Sequence, residues 1–408
     1  MDIEQPPSTD RYTRKKEVIV AAATGILNRR GVKGMTLADV AASVDLITTS
    51  VTYYFKKKED LAVACFLSSI ERLDTLISGA LAPGDPHDRL LAFLTRYLDL
   101  NRRIREGEEA PIAIFSDIRA LKEPHFATVL GAYQVMFRKV RELFSGSGIE
   151  WMDRKMATVR TYMLLEQLYW TVTWLPRYDT EDYPRLRDRM FDILSNGVVA
   201  NGAEWNPAPL PNLEALPAGA LETARETFFV AATRLINQRG YRGASVEKIS
   251  AQLNVTKGSF YHHNEAKDDL VVACFERTFD VMRRAQRLAM ERPGDFWGRL
   301  SSIVAALVEY QLSERGPLLR VSALASLPEP IRLDMVERFN RVSERFAGMI
   351  ADGIAEGSLH AVDPFIAAQS LNATLNGAAD LELYLPRVDR HEIAELYARP
   401  VLMGIFSR

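Results

Sequence analysis

Shifting the sequence by 209 positions lays Glu17–Phe66 on Glu226–Phe275 without a gap, and 17 of the 50 aligned positions are identical. The identities include Asn28/Asn237, Arg30/Arg239, Gly31/Gly240, Gly34/Gly243, Ser50/Ser259, Lys58/Lys267 and the run Val63-Ala64-Cys65-Phe66 against Val272-Ala273-Cys274-Phe275. A period this long is a duplicated domain and not a solenoid repeat of about 20–50 residues. Whatever the chain folds into, it contains that unit twice.

Each unit has the grammar of short helices around tight turns. In the second, Ser245 stands where a helix needs a side-chain cap, and Val246, Ile249 and Leu253 follow at helical spacing on one face. Asn254 falls where the chain must turn, and Asn adopts left-handed backbone cheaply. Thr256 can cap the next short helix, in which Phe260 returns to the core while Lys257, Ser259, Tyr261, His262 and His263 project. Lys267-Asp268-Asp269-Leu270 opens a long third helix with carboxylates in its first turn, where the helix dipole favours them. The first unit repeats the plan with Thr36 at the cap, Asp45 at the turn and Asp45–Phe55 as the projecting segment, followed by Lys56, Lys57 and Lys58. A short polar helix mounted on two supports is the plan of a helix-turn-helix DNA reader.

The net charge of −2 looks wrong for a DNA binder until its distribution is read. Arg11–Lys58 holds ten Lys and Arg against three Asp and Glu, a local +7, while Ala220–Lys267 holds seven against four, a local +3. Basic readers on an acidic remainder form an electrostatic footprint for phosphate. The two cysteines, Cys65 and Cys274, occupy equivalent core-facing positions; they are expected to be inert, buried thiols in a reducing cytoplasm. The opening M-D-I-E-Q-P-P-S-T-D has neither the basic flank nor the apolar run of a signal peptide, and no window is long and apolar enough for a membrane span.

Periodicity predicts an all-α chain of two tandem units: readers at 11–66 and 220–275, helical bodies at 67–204 and 276–408, and a linker at 205–219. Body helices are expected near 87–105, 109–121, 124–145, 152–175 and 182–201, then 295–314, 317–326, 330–355, 364–383 and 389–406. The linker carries four prolines within residues 206–219 and, extended at ~3.1 Å per residue, spans on the order of 40 Å.

The order Gly…Thr/Ser…turn…Tyr…Lys-Asp-Asp-Leu closely resembles the TetR/AcrR family of bacterial transcriptional regulators over residues 14–66 and 223–275. The resemblance implies that each three-helix unit reads operator DNA, that the body binds a small molecule, and that the last two body helices build a four-helix dimer interface. The chain departs from the family where Asp45 and Asn254 replace the usual turn glycine. It departs again where Thr52-Tyr53-Tyr54-Phe55 and Tyr261-His262-His263-Asn264 each lack one aromatic of the usual Tyr-x-x-Phe. The two readers are therefore expected to prefer different half-sites.

For DNA contact this points to Thr36, Thr48, Thr49, Ser50, Tyr53, Tyr54, Lys57 and Lys58 in the first reader. The second contributes Ser245, Thr256, Lys257, Gly258, Ser259, Tyr261, His262, His263 and Lys267. Residues near a reading helix's start reach base edges and those near its end reach phosphate, with Lys58 and Lys267 expected as phosphate clamps. No Cys or acidic partner stands at ligand spacing from His262-His263, so no metal is expected, and no catalytic motif or cofactor loop appears. An apolar effector is expected near Phe115, Tyr162, Glu166, Trp170 and Trp174, although the same residues also suit bundle core or interface. Large residues over Met152–Leu175 against small ones over Phe365–Leu383 suggest that these two helices face each other. The expected partners are double-stranded operator DNA and one small apolar molecule, with a monomer acting as a pseudo-dimer and a homodimer as the competing state. A protein-interaction scaffold with degenerate readers is the alternative, and an enzyme the weaker one; a scaffold gives no reason for the local +7.

The charge asymmetry makes a prediction. Alanine at Lys57 and Lys58 weakens DNA binding more, and flattens its salt dependence more, than alanine at Lys257 and Lys267. Equal losses in a salt titration of binding would contradict it.

Overall fold

The computed structural model describes residues 8–82, 84–215, 220–240, 244, 267–384 and 388–408. Described residues of the first copy form α1 (Ser8–Gly34), α2 (Leu37–Ser43), α3 (Thr48–Tyr54), α4 (Lys58–Ala80), α5 (Pro86–Arg105), α6 (His125–Arg141), α7 (Arg154–Trp174) and α8 (Tyr183–Asn196). Those of the second form α9 (Ala220–Arg239), α10 (Lys267–Met290), α11 (Phe296–Gln311), α12 (Glu329–Glu356), α13 (Pro364–Ala378) and a C-terminal helix. That last helix runs through Arg390–Ile393, a π turn at Ala394–Ala398 and Arg399–Met403. The class is all-α; the β-pairing among described residues is one isolated bridge between Val199 and Leu359.

Two expected helices do not form, for one physical reason. Over 109–121 only Phe115–Ala120 is helical, as a 3-10 turn. Ahead of it, distant side chains take the backbone groups a helix would use. Asn28 donates to the Ile112 carbonyl at 2.8 Å and accepts from the Ile114 N–H at 2.9 Å, Ser69 accepts from Ala113 at 2.9 Å, and Arg72 donates to the Ala110 carbonyl at 2.7 Å. Pro111 has no N–H to offer. The expected helix at 317–326 likewise shrinks to a 3-10 turn, Val321–Ser326. There Asn237 donates to Leu318 at 2.9 Å and accepts from Arg320 at 3.1 Å, and Thr278 accepts from Leu319 at 2.9 Å. Ile112 corresponds to Leu318 and Ile114 to Arg320, so the duplication continues into the bodies at an offset of 206 positions, past the point where sequence identity is visible.

The end of α1 is shaped by glycine. Gly31 takes φ 68°, a left-handed value that kinks the helix before its last turn. The Asp117 carboxylate accepts from the freed Val32 N–H, and the Lys58 ammonium donates to the Val32 and Lys33 carbonyls at 3.3 and 2.9 Å.

By contacts the chain divides into two compact units. One runs to Gly79 and takes up Asp99–Lys139; the other holds Ala80–Leu98 and Val140–Arg408. The division does not follow the repeat, because α7 and α8 group with the second copy. Residues after α8 are extended as expected, yet they are docked rather than loose. Trp297 donates to the Glu204 carbonyl at 3.0 Å, the Ala208 N–H donates to Ser302 at 2.9 Å, and Leu210 and Leu213 are buried. Cys65 and Cys274 are both buried, and burial pushes their thiols up to about 11 and about 12, which leaves them unreactive.

Burial raises the Asp117 carboxyl from 3.8 to about 6, against the opposing pull of the Val32 N–H and the Lys33 charge. Between pH 4 and 6 the folded state therefore holds a proton that the unfolded chain releases, and this group's contribution to stability falls as pH rises through that window. The full effect is at most about 3 kcal/mol. Subtracting the Asp117→Asn stability profile from the parent's, measured by urea unfolding, should leave a difference that declines from pH 4 to 6 and is flat above about 7. A flat difference throughout would refute the assignment.

Candidate functional site

The first reader is built by its caps and its one left-handed turn. Thr36 accepts from the Asp39 N–H at 3.1 Å and donates to the Asp39 carboxylate at 2.7 Å, closing the start of α2. Arg30 holds the same carboxylate at 2.7 Å. The Thr36 hydroxyl and the Arg30 guanidinium keep the Asp39 carboxyl below its usual value. Asp45 sits at φ 53°, as its replacement of a turn glycine requires. Val51 and Phe55 turn inward from α3 and are buried, while Thr48, Thr49 and Tyr53 face out, Tyr53 being 67% exposed. Ser50 and Tyr54 are half-buried.

Two features of this surface are missed by the sequence reading. Tyr12, at the basic start of α1, packs its ring on Tyr54 at 4.7 Å and on Tyr53 at 6.1 Å, so three aromatics form one cluster at the end of α3. Ile47, 71% exposed, occupies the cap position of α3 and gives it no side-chain hydrogen bond. A signal for it exists: the aligned residue of the second copy is Thr256, a good cap. An exposed aliphatic group beside a reading helix is suited to a thymine methyl.

Lys57 is exposed, as a phosphate contact needs to be. Lys58 is not a free clamp: its ammonium is engaged by the carbonyls ending α1, so its replacement loosens the reader as well as removing charge. Lys57 alone is the cleaner probe of phosphate binding. Ser245, Thr256, Lys257, Gly258, Ser259, Tyr261, His262 and His263, with the Asn254 turn, lie outside the described residues, as does the Lys267 side chain.

The five residues expected to surround an effector do not line one cavity. Phe115 belongs to the first unit, packed against Phe66 and Tyr133 at 6.5 and 5.4 Å. The other four lie on α7 in the second unit, where α7 runs antiparallel along α13. Tyr162 donates to the Gly377 carbonyl at 2.7 Å, Gln167 to the Ser370 carbonyl at 2.9 Å and to Thr374 at 3.0 Å, and Trp170 to Gln369 at 2.9 Å. Glu166 meets Arg320 at 3.4 Å, and Trp174 packs edge-on against Phe365 at 6.4 Å. The expectation that bulky and small helices face each other is met: a Cβ added to Gly377 would lie 2.6 Å from the Tyr397 hydroxyl and 2.8 Å from Glu166. Burial holds the Tyr162 and Tyr397 hydroxyls well above the usual tyrosine value, so they remain neutral donors.

A second crossing joins the end of α8 to the C-terminal helix. The Val198 N–H donates to the Leu402 carbonyl at 2.8 Å, and the Ile405 N–H to the Leu194 carbonyl at 2.7 Å. Gly197 and Gly404 make this approach possible, since a Cβ on either would lie 2.2 Å from a backbone oxygen, of Leu402 and Ser195 respectively. The reciprocity is that of an approximate two-fold axis. Of the five expected effector residues, Trp170 alone also lines a cavity, described below.

The profile of bacterial regulatory proteins of the tetR family matches the chain twice, over residues 19–65 and 228–274, and that of the tetracyclin repressor-like C-terminal domain matches residues 293–380. The chain is 29% identical over 150 residues to the HTH-type transcriptional repressor DhaR of Mycobacterium sp. (strain GP1), covering 36% of this chain and 75% of that protein. It is 25% identical over 138 residues to the transposon Tn10 TetC protein of Escherichia coli, covering 34% and 69%. Among solved structures, the TetR family transcriptional regulator PfmR from Thermus thermophilus aligns with 44% of this chain and 99% of its own, at 21% identity and a TM-score of 0.38.

Ile47→Thr supplies the missing cap of α3. It should raise the stability of the full chain by about 0.5–1 kcal/mol in thermal or urea unfolding. A loss of stability would show that Ile47 is held by packing the exposed surface does not reveal.

Proposed function

Since the chain belongs to the TetR family of bacterial DNA-binding regulators and carries the family's DNA-binding segment twice, we propose that it is a ligand-responsive transcriptional repressor whose two readers form an intramolecular pseudo-dimer. The observation that carries this reading is the buried seam between α7 of the first copy and α13 of the second. In the resemblance drawn from sequence, the last two body helices make the dimer interface. Here α7 and α8 meet α13 and the C-terminal helix of the same chain, so the surface that a partner would cover is already covered.

The seam is complementary rather than self-complementary. Tyr162 and Trp170 need Gly377 and Gln369 opposite them, and two copies of α7 would oppose bulk to bulk. Covalent joining raises the effective concentration of the partner surface to roughly millimolar, which favours pairing within the chain over exchange between chains. Two readers then serve adjacent major-groove faces roughly 34–36 Å apart without a second subunit. Their sequences are free to differ, as Tyr53-Tyr54-Phe55 and His262-His263-Asn264 do, so the operator need not be a palindrome. Repression is the direction suggested by the name of the relative DhaR. The effector would act through its differential affinity for the two reader arrangements, typically ~1–3 kcal/mol.

Light scattering of the free protein should give about 46 kDa, from a chain mass of 45.9 kDa, and one chain per operator in the complex. A stable species of twice that mass, binding as a unit to a perfect inverted repeat, would overturn the pseudo-dimer.

A further inference from the structure

Behind the seam, within the second unit, lies a cavity of about 370 Å³ including its open mouth, a size at the lower end for a small-molecule site. Trp170, Phe275, Phe279 and Phe339 form its aromatic lining. The rings contact one another in sequence: Trp170 to Phe339 at 5.8 Å, Phe339 to Phe279 at 6.2 Å, and Phe279 to Phe275 at 5.9 Å.

The polar lining is nearly used up. Thr278 accepts from Leu319, Gln311 accepts from Leu318 at 2.7 Å while donating to Leu375 at 2.6 Å, and Asn376 accepts from Val321 at 3.0 Å. Two lining groups keep a buried polar atom without a hydrogen-bond partner: Asn372 at Oδ1 and Arg320 at Nε. Both residues are more than nine-tenths buried. Asn372 is held in place by its Nδ2, which donates to Ser343 at 2.7 Å. The other two nitrogens of the Arg320 guanidinium face carboxylates, Asp380 at one and Glu166 at the other.

We propose that this cavity binds a flat, apolar and electrically neutral molecule carrying one hydroxyl, of the phenol class, whose O–H donates to Asn372 Oδ1 while its oxygen accepts from Arg320 Nε. A hydrocarbon of the same shape leaves both atoms unpaired and loses the hydrogen bonds that the hydroxyl makes. A carboxylate is disfavoured for a different reason. Arg320 already faces two negative groups, and a third would be repelled by both without displacing either. The proposal rests on the ligand-responsive reading for its consequence: residues 318–321 form one wall of the cavity, and Asn237 ties that wall to α9. Binding itself does not depend on that reading.

The test is calorimetry of the full chain, without DNA, against 2-naphthol, naphthalene and 2-naphthoate. The expected order is 2-naphthol tightest, naphthalene roughly tenfold weaker, and 2-naphthoate weaker still. Asn372→Leu should bring 2-naphthol down to the level of naphthalene while leaving naphthalene binding within about twofold. Tightest binding of 2-naphthoate, equal binding of 2-naphthol and naphthalene to the parent chain, or no binding of any of the three would overturn the proposal. The three-ligand series on the parent stands even where the Asn372 variant does not fold. Operator affinity measured separately with and without 2-naphthol reports on regulation: bound naphthol that leaves it unchanged removes the switch and not the site.

Discussion

The structure depends on one pairing of unlike helices. α7 brings Tyr162, Trp170 and Trp174, and α13 brings Ala373, Gly377 and Ala378, so the large side chains of one fill the shallow face of the other. Hydrogen bonds from Tyr162, Gln167 and Trp170 satisfy polar groups that burial would otherwise leave costly. Such a network is stabilising only when complete, which makes the pairing specific as well as tight. Everything specific to a fused regulator follows from it: one chain presents both halves of an interface, and the halves have become different.

That difference extends outward from the seam. The positions that remain identical between the copies are those that hold the fold. Asn28 and Asn237 each clamp the same stretch of body backbone by two hydrogen bonds, and Cys65 and Cys274 are both fully buried. Positions that face a partner have diverged. Ile114 stands where Arg320 stands in the second copy; Arg320 is buried between Asp380 and Glu166 and lines the cavity. The fusion lets one body specialise while the other serves as its support.

Much of this is legible in the sequence because it rests on local chemistry. Helical periodicity marks the helices that form, Thr36 caps α2 as its position implies, and Asp45 takes the left-handed turn. The facing of α7 and α13 is readable from side-chain size alone. What is not legible depends on groups distant in sequence. Segments 109–121 and 317–326 have helical composition, yet Asn28 and Asn237, more than eighty residues away, remove the backbone groups those helices need. Lys58 reads as a phosphate clamp until the Val32 and Lys33 carbonyls are seen to hold it. The aromatic residues of α7 read as one pocket with Phe115 because sequence shows chemical type and not which helix comes to meet it.

The seam, not the covalent link, is held here to unite the two copies. A protease site inserted between Leu216 and Ala220 allows the chain to be cut after it has folded, and light scattering then measures what remains together. The account predicts one species of about 46 kDa containing both fragments, and its dissociation when Gly377→Val is introduced, because a side chain there meets Tyr397 and Glu166. Fragments that separate on cutting, or that re-form as pairs of like halves, would contradict it.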